Sequence, residues 1–291
     1  MFQNIQRNTP IEHIGVKHGV RIDMKRLDQI HPYISGNKFY KLKYNFLEAK
    51  QKGYTSILTF GGAYSNHIAA TAYAAKQYGF TSVGIIRGEE LVHQPLNPTL
   101  NFSHQICSMQ LSFVSRATYK ERHTLSYLEE LQRKYPNTYI IPEGGTNTFA
   151  VQGCKEILTD HDLQHYDVIC CAVGTGGTLT GLIESTSSPC KILGFSALKG
   201  DFLKQEIRQL TQKNHWDITD DYCFGGYAKT TPELIEFIHM FEHEYNIPLE
   251  PIYTGKMCYG VFNLIHKQYF PKGTRILLIH TGGLQAKSSL M

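Results

Sequence analysis

Lys38 lies in Ser35-Gly36-Asn37-Lys38-Phe39-Tyr40-Lys41-Leu42, and a second polar loop, Gly61-Gly62-Ala63-Tyr64-Ser65-Asn66-His67, follows one helix and one strand later. A lysine beside Gly and Asn, ahead of the amphipathic run from Lys41 to Lys52, sits where backbone can approach a ligand closely and where helix N-terminal N–H groups attract anions. These residue types suit a ligand that carries both an aldehyde and an anion: the lysine amine condenses with the first and the helix start holds the second. Arginine could not replace it, because its guanidinium stays protonated. Taken alone, Gly-Asn-Lys is an ordinary turn into a helix.

A third element changes that balance. Cys170-Cys171-Ala172-Val173-Gly174-Thr175-Gly176-Gly177-Thr178-Leu179-Thr180-Gly181 reads as an apolar strand running into a Gly/Thr-rich turn and then a helix, the build of a phosphate cradle. A lysine amine and a phosphate cradle together point to pyridoxal phosphate, with Lys38 forming the Schiff base. A nicotinamide cofactor is excluded on spacing. The turn does not fit Gly-x-Gly-x-x-Gly, and the next strand, Lys191 to Phe195, ends in Ser196-Ala197-Leu198 without an acidic residue for ribose.

The elements that must position these loops alternate between strand and helix, which predicts an α/β fold with a mostly parallel sheet. Strands are expected at Ser56 to Phe60, Thr81 to Ile86, Thr138 to Pro142, Asp167 to Cys171, Lys191 to Phe195 and Arg275 to His280. Helices are expected at Asn66 to Tyr78, Tyr119 to Lys134, Thr231 to Tyr245 and Gly260 to Tyr269. Ligands on such sheets bind beyond the carboxyl ends of the strands. The Gly-rich turns at 61–67, 144–147, 174–181 and 281–283 therefore point to one crevice.

The chain has 291 residues, 42% of them apolar, enough for a substantial core. Its net charge of +4 is small and dispersed, so the partner expected is a small amino-acid substrate and no nucleic acid. No run has the length of a membrane span, and Met1-Phe2-Gln3-Asn4 lacks the regions of a signal peptide, so no membrane association and a cytoplasmic location are expected. Seven cysteines without Cys-x-x-Cys spacing read as buried reduced thiols. Among fourteen histidines, His239 and His243 could share a helix face but lack a His-Glu-x-x-His arrangement, so no metal is expected.

Taken in order, Thr9-Pro10-Ile11, Lys25-Arg26-Leu27-Asp28, Gly36-Asn37-Lys38-Phe39-Tyr40-Lys41-Leu42, Tyr64-Ser65-Asn66-His67, Gly174-Thr175-Gly176-Gly177-Thr178, Pro251-Ile252-Tyr253-Thr254-Gly255-Lys256 and His280-Thr281-Gly282-Gly283 resemble the PLP-dependent 1-aminocyclopropane-1-carboxylate (ACC) deaminase and D-cysteine desulfhydrase family. The match spans nearly the whole chain. It implies the tryptophan-synthase-β-like fold, known as fold type II, with a larger PLP-binding α/β domain from residues 1–47 plus 152–291, a smaller α/β domain inserted over 48–151, and a homodimer.

Residue by residue, the resemblance makes Lys38 the Schiff-base lysine, flanked by Asn37, with Lys41 and the turn Gly174, Thr175, Gly176, Gly177, Thr178 holding the phosphate. Ser65, Asn66 and His67 match the substrate-carboxylate loop; Ser65 or Asn66 would equally suit a helix N-cap, and Asn66 also resembles the residue near the cofactor's ring hydroxyl. Tyr253 and Tyr227 match two active-site tyrosines that spacing alone would not select from the eighteen present.

Three positions depart from the deaminase pattern. Thr254 stands where a Glu would protonate the cofactor's pyridine nitrogen; its hydroxyl is expected to hydrogen-bond that nitrogen without supplying charge. Thr281, an expected substrate contact, stands where deaminases carry Leu, and Leu27 where Glu is common, which bears on the entrance loop. The first two resemble the desulfhydrase branch.

The activity expected is therefore α,β-elimination of a small D-amino acid, D-cysteine foremost, giving pyruvate, ammonia and sulfide. Lys38 or Ser65 would remove the α-proton, and Tyr227 or Tyr253 would assist the leaving thiol. The alternatives are ACC deamination to 2-oxobutyrate and ammonia, or a PLP or amino-acid-binding protein with little turnover.

Overall fold

The computed structural model of the protein describes Phe2, residues 9–186 and 190–284, and Lys287; apart from Phe2, the Met1–Asn4 stretch lies outside the described residues. Strands β1 (Ile11–Lys17) and β2 (Val20–Arg26) form an antiparallel hairpin, and helix α1 (Asn37–Gln51) follows. Next come β3 (Ser56–Gly61), α2 (Asn66–Tyr78), β4 (Thr81–Arg87), α3 (Pro98–Asn101), β5 (Gln110–Val114), α4 (Arg116–Lys120), α5 (Leu125–Lys134), β6 (Thr138–Ile141), α6 (Thr148–Cys154) and α7 (Asp160–His165). The chain continues through β7 (Val168–Val173), α8 (Gly177–Ser185), β8 (Lys191–Ser196), α9 (Phe202–Leu210), β9 (Trp216–Thr219), α10 (Pro232–Tyr245), α11 (Thr254–His266) and β10 (Arg275–His280).

Two sheets result. One runs β5-β4-β3-β6 and is wholly parallel; the other runs β1-β2-β10-β7-β8-β9 and is parallel except for the β1–β2 pair. The six residues of β3 and the six of β7 are all buried, the pattern of a parallel strand covered on both faces. In each sheet the strand order reverses once among the parallel strands: between β3 and β6 in the first, between β7 and β10 in the second. Those reversals are where a crevice opens at the carboxyl ends of doubly wound sheets. The four glycine-rich turns leave β3, β6, β7 and β10, so each of the two crevices receives two of them.

Most predicted elements are present, with several differences. The hairpin β1–β2, strands β5 and β9 and helices α3, α6, α7 and α9 are additional. The helix expected from Tyr119 to Lys134 is two helices, because residues 121–124 form turns in which Arg122 is drawn to Glu143. Helix α11 starts at Thr254, well before Gly260. Lys38 lies inside the first turn of α1 and not in the loop ahead of it. Leu27 is fully buried in a short 3-10 turn, its carbonyl accepting the Gly36 N–H at 3.1 Å, so the departure from Glu at this position forms core and not an entrance loop. All seven cysteines are buried and unpaired.

The start of α1 is fixed by one tight crossing. Gly36 has φ +65°, and a Cβ there would stand 1.9 Å from the Thr281 carbonyl oxygen. The Asn37 N–H donates to that same oxygen at 3.1 Å. Gly36→Ala is therefore both conformationally strained and sterically excluded, and should cost at least ~2–3 kcal/mol, read as a lowered midpoint in guanidinium unfolding.

Candidate active site

The four turns and the start of α1 line one cavity of about 410 Å³, within the range of small-molecule sites. Its wall contains Asn37, Lys38, Lys41, Ser65, Asn66, His67, Gly174, Thr175, Gly176, Thr178, Tyr227, Tyr253 and Thr281; Gly177 and Thr254, of the residues expected there, are not in the wall.

Lys38 is partly buried, and its Nζ donates to Asn37 Oδ1 at 2.8 Å, while Asn37 Nδ2 donates to Thr178 Oγ1 at 2.8 Å. Asn37 thus ties the lysine to the phosphate-type turn. Burial lowers the Lys38 ammonium from 10.5 to about 8, so a useful fraction of neutral amine exists near neutral pH.

Lys41 is buried, and the described partners of its Nζ are the hydroxyls of Thr146 at 2.9 Å and Thr175 at 3.3 Å. Burial, and then the Lys38 charge, lower it to about 7. A buried cation facing hydroxyls and another cation is an incomplete arrangement that an anion completes. The first turn of α8 points its backbone into the same space, with no side-chain cap and no described acceptor for the N–H groups of Gly176 to Leu179. Gly177 belongs to this turn although it lies outside the cavity wall: a Cβ on it would meet Thr146 Oγ1 at 2.9 Å.

The loop before α2 forms another part of the cavity wall. Ser65 caps that helix, its Oγ accepting the Ile68 N–H at 3.3 Å, and the Asn66 and His67 N–H groups have no described acceptor. Asn66 Oδ1 and His67 Nδ1 are buried without a hydrogen-bond partner. The His67 side chain is not a donor to this space. Thr59 Oγ1 donates to the Ile141 carbonyl at 2.8 Å and so accepts from His67 Nε2, also 2.8 Å away, which leaves Nδ1 as a bare acceptor. Burial, followed by the charges of Lys38 and Lys41, holds His67 well below its ordinary value and hence neutral. Of the His67 groups, only the backbone N–H can serve a carboxylate.

Tyr253 lies against the Gly174 turn, where a Cβ would come within 3.0 Å of its ring, and meets Tyr227 edge to face with centroids 6.2 Å apart. Burial raises both phenols, that of Tyr253 well above its ordinary value with help from the Tyr227 and Glu250 charges, so both are neutral proton donors at physiological pH. Thr281 is buried at the exit of β10 and lines the cavity.

Thr254 is the clearest departure from expectation. It is fully buried; its hydroxyl accepts the Glu250 N–H and donates to Glu250 Oε1, both at 3.1 Å. Both capacities are spent within its own turn, so the expected bond to a cofactor nitrogen has no free donor. The buried Glu250 carboxylate also takes the N–H groups of Ile252, Tyr253 and Thr254, and so shapes the turn that presents Tyr253. Sequence reading passed over Glu250, whose partners are two to four residues away in a turn with no glycine signature.

Lys256 was passed over too. It is buried and donates to the carbonyls of Cys223 and Gly226, both at 2.8 Å, which anchors the segment that carries Tyr227. Lys256→Met should strand both carbonyls, cost ~1–3 kcal/mol of stability, and lower kcat by about tenfold through Tyr227 with cofactor affinity unchanged, measured by turnover and cofactor titration on the same preparation.

The cavity has the parts that a phosphorylated aldehyde requires: a partly neutral lysine amine, a buried cation and open helix start for the phosphate, and unpartnered polar atoms between them. The comparisons with known proteins agree. The model of the pyridoxal-phosphate dependent enzyme family matches residues 3–282, and the chain belongs to that family. It is an enzyme that uses pyridoxal phosphate, of fold type II. It is similar to a Pyrococcus furiosus protein named a candidate ACC deaminase, 31% identical over 95% of this chain and 89% of that one. It is also similar to the mitochondrial bifunctional D-cysteine desulfhydrase/ACC deaminase of Arabidopsis thaliana, 29% identical over 93% of this chain and 74% of that one. A crystal structure of an ACC deaminase homologue superposes with a TM-score of 0.84 at 28% identity, covering 98% of this chain and 94% of that one. No described helix is long and apolar enough to cross a membrane.

Proposed function

We propose that the protein is a lyase that eliminates the β-substituent of a small D-amino acid, D-cysteine foremost, releasing pyruvate, ammonia and sulfide. Bound pyridoxal phosphate supplies an electron sink for negative charge at the amino acid's Cα. Lys41 and the α8 start hold the phosphate; the Asn66 and His67 N–H groups, with the Ser65 hydroxyl, receive the α-carboxylate.

Lys38 carries the α-proton. Its lowered value gives it neutral amine near pH 7, whereas no described base stands ready to deprotonate Ser65, whose oxygen is engaged as the α2 cap. Tyr253 or Tyr227 donates a proton to the departing sulfur. The observation that carries elimination over ACC ring opening is position 254: a neutral hydroxyl, already committed to Glu250, stands where the resemblance places the deaminase carboxylate. Without that carboxylate the sink is weaker, which elimination of a good leaving group tolerates better.

The test supplies the PLP-loaded enzyme with D-cysteine and, separately, ACC, and measures sulfide and 2-oxobutyrate. Sulfide from D-cysteine with no 2-oxobutyrate supports the proposal, and the reverse overturns it. The proposal extends to a cytoplasmic homodimer with residues 48–151 as an inserted domain; light scattering checks the dimer and limited proteolysis the insert.

A further inference from the structure

Arg87 ends β4 and lines the cavity beside the loop before α2. Its Nη2 stands 3.6 Å from where a Cβ on Gly62 would be, above the loop that leads to Ser65. The guanidinium has a ring contact with Tyr119, 5.8 Å to the centroid, and no carboxylate partner among the described residues. The acid of the cavity wall, Glu143, is already satisfied: Arg122 Nε donates to it at 2.7 Å and the Tyr119 hydroxyl at 2.6 Å. The cavity wall therefore carries one uncompensated cation besides Lys38 and Lys41. Arg87 and Tyr227 both line the cavity, and the Arg87 charge works against the rise that burial imposes on the Tyr227 phenol.

One anion site on this side is already provided by the open N–H groups before α2. A second, separate cation there suits a substrate with a second negative charge. We propose that Arg87, set over the Gly62–Ser65 loop in the wall that Tyr227 also lines, binds an anionic β-substituent, so that the substrates are amino acids whose β-group is a thiolate or sulfonate, which departs with the bonding electron pair as sulfide or sulfite. This rests on the lyase reading, for which the α-carboxylate sits at Asn66 and His67. An Arg–anion contact in a partly desolvated cavity is worth about tenfold in affinity.

The test uses the PLP-loaded full chain and two unreactive ligands that differ by one carboxylate, propionate and succinate, with binding read by calorimetry. Succinate should bind about tenfold tighter than propionate. Arg87→Leu should bring succinate to the propionate level and leave propionate unchanged, while Ser65→Ala weakens both. Arg87 is exposed, so its loss leaves the fold intact, which an unchanged unfolding temperature verifies. Equal binding of the two ligands by the unaltered enzyme, absence of binding by both, or equal weakening of both in Arg87→Leu overturns the inference. Tighter succinate binding that Arg87→Leu abolishes, in an enzyme that releases no pyruvate from any D-amino acid, keeps the Arg87 site and rejects the lyase reading.

Discussion

Lys41→Met should separate cofactor affinity from protein stability by moving them in opposite directions. In the cofactor-free protein the Lys41 ammonium is buried beside Lys38 with hydroxyl partners, and its value falls from 10.5 to about 7. The unfolded chain binds a proton at this residue up to about pH 10.5, whereas the folded chain releases it above about pH 7. Between those limits the unfolded state holds more protons, so stability contributed here rises with pH and is lost as pH falls toward 7. Below that, the penalty is fully present. Replacing Lys41 by Met removes it, so the cofactor-free variant should unfold at a higher denaturant concentration than the parent below pH 7 and lose the upward slope between pH 7 and 10. Phosphate binding should weaken at the same time by ~2–3 kcal/mol, about a hundredfold in cofactor dissociation constant, because a charge-assisted contact to an anion is gone. Unfolding curves with and without pyridoxal phosphate measure both effects. A variant that is destabilised in the cofactor-free state would mean that the Thr146 and Thr175 hydroxyls satisfy the cation unaided.

Lys38→Ala should abolish turnover, by ~10³-fold or more, since one side chain is asked both to hold the aldehyde and to move a proton. The protein should nevertheless fold. Lys38 is only partly buried, its described hydrogen bond is to its neighbour Asn37, and the core around it is built by Leu42, Phe46 and Ile34. The expected result is a soluble variant whose unfolding temperature is no lower than the parent's, because a buried ammonium held down to about 8 is removed, without the visible absorbance of a lysine-bound aldehyde and retaining phosphate affinity through Lys41. Residual activity above one part in a thousand would move the proton transfer to another group.

These two lysines were also the most legible part of the site. Gly-Asn-Lys and the Gly/Thr turn at 174–178 announce themselves because sharp turns and open helix starts depend on local residue types. The partners of Lys41 do not: Thr146 and Thr175 lie 105 and 134 residues away, and only the packing of α1 against α6 and α8, whose starts follow these two threonines, brings them in. Arg87, Arg122 and Glu143 stayed hidden for the same reason, each an ordinary surface-type charge until the strand ends converge. Strands were readable where both faces are buried, as in β3 and β7, whose apolar runs are continuous. They were unreadable in β5 and β9, where every residue is exposed or only partly covered and the signal is weak. At position 254 the hydroxyl's partner is not legible in the sequence, because it is the acid of its own turn.

The crossing of Gly36 with Thr281 bears on the order in which the protein can be made. Strand β10 is the last among the described residues, yet it sits between β2 and β7, and the backbone that presents Lys38 is closed against the residue immediately after it with no room for a methyl group. The first two strands of a growing chain consequently wait, without their neighbour, until some 250 further residues have been synthesised. The four parallel strands β3 to β6 can pair meanwhile, since they need nothing from the last segment. The reactive amine is thus set in place only after Thr281 has been synthesised, and a ribosome-bound chain truncated before Arg275 would contain every residue of the phosphate cradle and still be unable to position the lysine over it.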